Sequence, residues 1–293
     1  MLLLSKKYFI LIIKYLNLHS LKIVQIHQLM NKILFFIFIS AFFLSCSPFQ
    51  KALKSEDLEV KYTEATRLYD LGKYSKALRL FDQLASEYKG KPQAEKMFYM
   101  YSKSLYAIKD YMLAGYQFEK YVSSYPKSEK VEEAAFLGAK SYSELSPVFS
   151  LDQVDTDKAV DKLQNFIDAY PESQYLAEAN SKMKILREKL ERKSYENAKL
   201  YNSISDHKSA IVALDNFVID FPGTNLKEKA LFYKFDSTYK LAINSVYNKM
   251  EERLKTSKIA YVNLIKFKAD SEYKNQADEM LARLDKDLQQ FSK

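Results

Sequence analysis

Cysteine, glycine, proline, histidine and tryptophan are all scarce in this 293-residue chain, and most of these scarcities close off a class of function. One cysteine cannot build a disulfide scaffold or a cysteine-based zinc site. Five glycines are too few for a Rossmann or P-loop enzyme, and neither GxGxxG nor GxxxxGK[ST] occurs. Of the three histidines, His19 and His27 lie in the first thirty residues, which leaves only His207 for a folded body. A histidine-ligated metal site, or a triad built around several histidines, is disfavoured on that count. What remains is rich in Ala, Leu, Lys, Glu and Tyr, and 47% hydrophobic, which points to an all-α chain with a sizeable core.

A net charge of +8 suggests a nucleic-acid partner until it is located. Residues 1–45 carry Lys6, Lys7, Lys14, Lys22 and Lys32 with no acid, and so hold +5 of it. The rest has 40 basic and 37 acidic side chains, interleaved even in KILREKLERK at 184–193. Such mixing is the mark of solvated helix faces with i,i+4 pairs, and no nucleic-acid partner is expected.

From Met30 the chain reads as an address. Lys32 forms a positive n-region and Ile33 to Leu44 an apolar stretch broken only by Ser40. That is signal-peptide length, well short of the ~20 residues that span a bilayer. It ends in Phe43-Leu44-Ser45-Cys46, which resembles a bacterial lipoprotein signal. The resemblance implies cleavage before Cys46, a covalent lipid on it, and no other cofactor. Two or more acyl chains hold a protein stably where one does not. The expectation is that Met30 is the true start, 1–29 an upstream extension, 30–45 the signal peptide and 46–57 a lipidated linker. A signal anchor using both apolar runs is the rival reading, opposed by the polar residues between Tyr15 and Gln28.

The body repeats itself. Alignment on the small residue of each second helix gives Ala77, Phe81, Leu84 and Tyr88, then Ala114, Phe118, Tyr121 and Tyr125. Ala159, Leu163, Phe166 and Tyr170 follow, then Ala210, Leu214, Phe217 and Phe221, and a fainter Ala260, Leu264, Phe267. Offsets of 0, +4 and +7 put these side chains on one helix face. The small residue admits a neighbouring helix and the aromatic fills the gap between repeats. Pro126, Pro171 and Pro222 stop the second helices, and Ser128, Ser173 and Thr224 are expected to N-cap the next. Ala65, Ser102 and Ala139 are the small residues of the first helices. This is the tetratricopeptide (TPR) pattern, and the predicted fold is an α-solenoid of about five helix-turn-helix repeats. Extra length is expected as a structured loop within 143–156, and as a helix of roughly thirty residues after 172, where no Pro or Gly occurs up to 221.

A lipobox cysteine followed by degenerate TPR units resembles the BamD (YfiO) family of outer-membrane assembly lipoproteins, in its Bacteroidota-like branch. SPVFSLDQVDTDKAVDKLQNFIDAYPESQYLAEAN at 146–180 and LREKLERKSYENAKLYNSISDHKSAI at 186–211 carry the resemblance most sharply. It implies a non-enzymatic, lipid-anchored component of the β-barrel assembly machinery at the outer membrane, facing the periplasm. It further implies docking on a BamA-like barrel protein through residues 173–293 and contact with unfolded outer-membrane proteins through 58–172, with room for other assembly lipoproteins. Counting TPR positions from Leu58 and Glu95 places Tyr62, Tyr69, Tyr99 and Tyr106 on a concave peptide-binding groove, with Phe136 at the fifth position of the third first helix. Packing of these aromatics between neighbouring helices is the other reading of the same positions.

An enzyme is not expected, because the acids scatter beside Lys and Arg, and His207 stands where other repeats place a turn-packing Tyr. A TPR adaptor in cell division or peptidoglycan-linked maintenance is the alternative function. A nutrient-uptake solenoid would call for insertions and sugar-stacking Trp, which is absent.

Overall fold

The computed structural model describes residues 47–291. The expected start at Met30, the extension 1–29, the signal peptide 30–45 and Cys46 lie outside the described residues. Those described form twelve α-helices and a closing 3-10 turn (Gln289–Phe291), with no strand among them. None of these helices is long and apolar enough to cross a membrane. The chain divides into two compact units between Tyr88 and Lys89.

The first unit holds α1 (Pro48–Lys54), α2 (Leu58–Asp70) and α3 (Tyr74–Leu84). Ser47 caps α1 by accepting from the Gln50 amide at 3.3 Å, and Pro48 sits at its first position. Phe49 and Ala52, three residues apart on one face, are buried in contact with α2 and α3. This corrects the expected linker over 46–57, because its apolar pair docks as a helix. Ala65 and Leu68 of α2 and Ala77, Phe81 and Leu84 of α3 are buried in the hairpin core. The turn between them needs a left-handed residue, supplied by Gly72 at φ 68°, and closes with the Lys73 amide donating to Leu68 O at 2.8 Å.

The second unit holds three hairpins, α4 (Ala94–Ala107) with α5 (Tyr111–Ser124), α6 (Val131–Leu145) with α7 (Val154–Ala169), and α8 (Leu176–Ser203) with α9 (His207–Asp220). A last hairpin, α10 (Lys227–Ile243) with α11 (Tyr247–Phe267), is covered by α12 (Lys274–Leu288). Here each first helix touches both its own partner and the next first helix, as a repeat stack requires. Lys109 and Ser205 take the left-handed turn position at φ 66° and 65°, and Asp110 and Asp206 then cap α5 and α9 through Leu113 N and Ser209 N. Ala114, Phe118, Ala159, Phe166, Ala210 and Phe217 are all buried. Gly115 and Gly138 leave no room for a side chain between α5 and α6. A Cβ on Gly115 would lie 2.9 Å from Tyr142 Cζ, and one on Gly138 would lie 3.2 Å from Phe118 Cβ.

At the turns the structure differs from the sequence expectation in two places. The amides of Tyr125, Tyr170 and Phe221 donate to Tyr121, Phe166 and Phe217, and in the fifth copy Lys268 donates to Leu264. That fixes the fifth register as Ser257, Tyr261, Leu264, three residues earlier than Ala260, Leu264, Phe267. Ser257 is wholly buried, whereas Phe267 is 47% exposed. Second, Ser128, Ser173 and Thr224 are not N-caps. The N-cap positions are Lys130, Tyr175 and Leu226, whose amides donate to those hydroxyl oxygens across a tight turn. The helix of roughly thirty residues expected after 172 is α8, with 28, and its middle holds the loop 146–153 in place. Lys189 Nζ donates to Ser146 Oγ at 2.6 Å and Lys193 Nζ to Ser150 O at 2.9 Å, while Arg192 lies 4.0 Å from the Phe149 ring centroid. The two stretches of extra length therefore support each other.

Candidate functional site

The first helices of TPR-like hairpins present a recurring aromatic at their fifth position, and its surroundings decide what that surface can do. In the first unit Tyr62 stacks on Tyr88 (centroids 5.3 Å apart, 17°) and Tyr69 meets Tyr74 edge-on at 5.6 Å. Both are half-buried. In the second unit Tyr99 lies 5.7 Å from Tyr121, and Tyr106 5.5 Å from Tyr111, again half-buried.

Phe136 does not line a groove. It is 2% exposed, with Phe166 at 5.4 Å on one side and Tyr175 stacked at 4.7 Å and 7°. The cause is general within this unit: the residue that opens the next first helix lies over the fifth-position ring. Lys130 sits over Tyr99 at 5.8 Å, Tyr175 over Phe136, and Tyr273 over Phe232 at 4.1 Å and 12°. Tyr195 takes the same place in α8, against Phe217 at 5.6 Å. Tyr195 and Phe232 are legible in the sequence as fifth residues counted from Glu191 and Glu228, the spacing that links Glu95 to Tyr99.

Those starting glutamates form a second column. Ser128 Oγ donates to Glu95 at 2.6 Å, Ser173 Oγ to Glu132 at 2.6 Å, and Thr224 Oγ1 to Glu191. Glu228 receives Lys268 Nζ at 2.8 Å and the Glu272 amide at 2.9 Å, beside Ser271. Each hydroxyl thus ties its turn to the preceding repeat. Burial alone would raise Glu228, but Lys268 and Ser271 hold its carboxyl below the usual carboxylate range. Glu133 is likewise lowered despite its burial, by the Tyr99 hydroxyl and Lys103. Burial, opposed by Lys140, pushes the Tyr106 phenol up.

Between α8, α10 and the start of α12 lies a cleft of about 480 Å³. Tyr195, Tyr233 and Tyr273 line it together with Arg192, Glu196 and Lys199. Burial, with Glu272 beside it, pushes the Tyr273 phenol up to about 12. Aromatic faces amid charges of both signs suit a polypeptide segment. On the outer faces of α9 and α11, Val212, Ile219, Ile259 and Val262 are exposed. His207 opens α9, half-buried, with its Nδ1 buried and unpartnered. Burial, then Lys240, lowers its pKa. Among the described residues no group of His, Cys, Asp or Glu is arranged to hold a metal ion.

Hairpins stacked through small-residue and aromatic seams, with a mixed aromatic and charged cleft, define a TPR-type helical-repeat protein. The chain belongs to the YfiO family of outer membrane lipoproteins, whose profile matches residues 54–254. It is similar to the outer membrane protein assembly factor BamD of Haemophilus influenzae, 22% identical over 234 residues, covering 75% of this chain and 88% of that protein. The BamD of Pasteurella multocida is 19% identical over 233 residues, covering 76% and 90%. Among solved structures, a Podosopora anserina protein of nearly identical TPR-like repeats superposes with a TM-score of 0.30 at 14% identity, covering 74% of this chain and 98% of that one.

Proposed function

We propose that this protein is a non-enzymatic scaffold of the outer-membrane β-barrel assembly machinery, held to the outer membrane by a lipid on Cys46 and facing the periplasm. The family match over residues 54–254 carries the reading. In it, the repeats of 58–172 meet unfolded outer-membrane proteins, with Tyr62, Tyr69, Tyr99 and Tyr106 offering the faces their own hairpins leave uncovered. Residues 173–293 dock on a BamA-like barrel protein. The cleft around Tyr195 and Tyr273 and the exposed Ile259 and Val262 supply aromatic, charged and apolar contacts suited to that role.

The test is photo-crosslinking in cells from Ile259 and Val262, followed by identification of the trapped protein. A BamA-like barrel protein supports the proposal. Division proteins or peptidoglycan enzymes as the trapped species overturn it.

A further inference from the structure

Helix α1 leaves almost no chain between the folded first unit and Cys46. Ser47 caps the helix, Pro48 begins it, and Phe49 is already buried. At about 3.5 Å per extended residue, a lipid on Cys46 leaves the protein on the order of 10 Å from Phe49. A bilayer holding that lipid must therefore lie against the surface around α1.

That surface is electrically divided. On the α3 flank Lys73, Lys76 and Arg79 follow at intervals of three, all exposed along one ridge. The Lys76 ammonium and the Arg79 guanidinium lie 5.6 and 5.4 Å from the Phe49 ring centroid. Among the described residues none of the three pairs with a carboxylate, and Asp82 is the only acid on α3. On the α2 flank, Asp57 and Glu59 line a cleft with Pro48, Lys51 and Ala52, beside the buried Glu64 that Arg67 pairs at 2.7 Å. An anionic surface attracts the first flank and repels the second.

We infer that the ridge Lys73, Lys76 and Arg79, beside α1, is a headgroup-binding face that seats the first unit on anionic phospholipid next to its anchor. The inference rests on the lipidation of Cys46 proposed above, and adds that the lipid is not a free tether. Each Lys or Arg near an anionic bilayer strengthens adsorption roughly fivefold. Three together give on the order of 100-fold, screened within a Debye length of about 10 Å at 0.1 M salt.

The experiment reconstitutes the mature lipoprotein in vesicles of phosphatidylethanolamine with about one-third phosphatidylglycerol, and in vesicles of phosphatidylcholine alone. Acetylation of each lysine by an N-hydroxysuccinimide ester is followed by mass spectrometry. Lys73 and Lys76 should react roughly fivefold more slowly on the anionic vesicles, with protection lost in high salt and the exposed Lys184 unchanged. Equal rates for Lys73 and Lys76 on both vesicles overturn the inference while leaving the anchor intact. The mass of the N-terminal peptide reports the lipid separately. If it is absent, flotation of the unlipidated mature chain with the same anionic vesicles decides. Binding that falls on the order of 100-fold in the triple variant Lys73→Gln, Lys76→Gln, Arg79→Gln upholds the face, and no binding overturns it.

Discussion

Replacement of Ser128 by Ala should loosen the joint between two repeats. The buried Ser128 hydroxyl lies 2.6 Å from Tyr121 Oη, donates to Glu95 at 2.6 Å and accepts from the Lys130 amide at 3.0 Å. Alanine removes a hydrogen bond to a charged group, worth about 1.5–3 kcal/mol, and deprives a backbone amide and a buried phenol of a partner. Part of that loss is recovered, because Tyr121 Oη keeps Glu95 at 3.4 Å and the turn is open to water. The net expectation is a loss of about 2–3 kcal/mol, or roughly 5–10 °C in Tm for a chain of this size. Urea unfolding followed by circular dichroism measures it. Ser128→Thr is the control, since Thr224 holds the equivalent place and donates to Glu191, and it should stay within about 0.5 kcal/mol of the parent. A loss below about 0.5 kcal/mol for alanine, or equal losses for both variants, refutes the idea that the hydroxyl ties the repeats.

Other substitutions separate packing from binding. Phe136→Ala should cost about 3–5 kcal/mol of stability by opening a cavity between Phe166 and Tyr175, read by the same urea titration. Tyr62→Ala with Tyr99→Ala should weaken binding of an aromatic-rich outer-membrane peptide while leaving helicity intact, as anisotropy and circular dichroism would show. Gly115→Ala should destabilise by about 1–3 kcal/mol, because the Tyr142 ring occupies the space of a new Cβ. At high pH the phenol of Tyr273, raised by burial to about 12, makes stability fully present below the unfolded value near 10. That stability is lost as pH rises from about 10 toward 12, and Tyr273→Phe should flatten this alkaline limb of the unfolding curve.

The repeat architecture was readable because close packing writes itself in offsets: Ala77 with Phe81, and Ala114 with Phe118, need a small residue and an aromatic one turn apart. The fifth copy slipped by three residues because Ala260 and Ser257 share a helix face, and only the turn at Lys268 distinguishes them. Ser128, Ser173 and Thr224 carry cap chemistry, yet their hydroxyls serve a turn and a glutamate from an earlier repeat, a partner 33 to 41 residues away that local patterns do not show. The helix at 48–54 is hidden within the linker expected over 46–57 because seven residues give little periodicity, although Ser47-Pro48 is a helix start and Phe49 and Ala52 share a face. The covering of Phe136 depended on Tyr175, which belongs to the next repeat. Single-helix counting assigns a face without saying what lies on it.

The most direct measurement is affinity purification of the lipidated protein from detergent-solubilised outer membranes, with quantitative mass spectrometry of what accompanies it. The account predicts a BamA-like barrel protein in near-equal amount, lost when Ile259 and Val262 are changed to charged residues that leave the fold intact. Recovery of the protein without any barrel component, or with division or cell-wall proteins in its place, contradicts it.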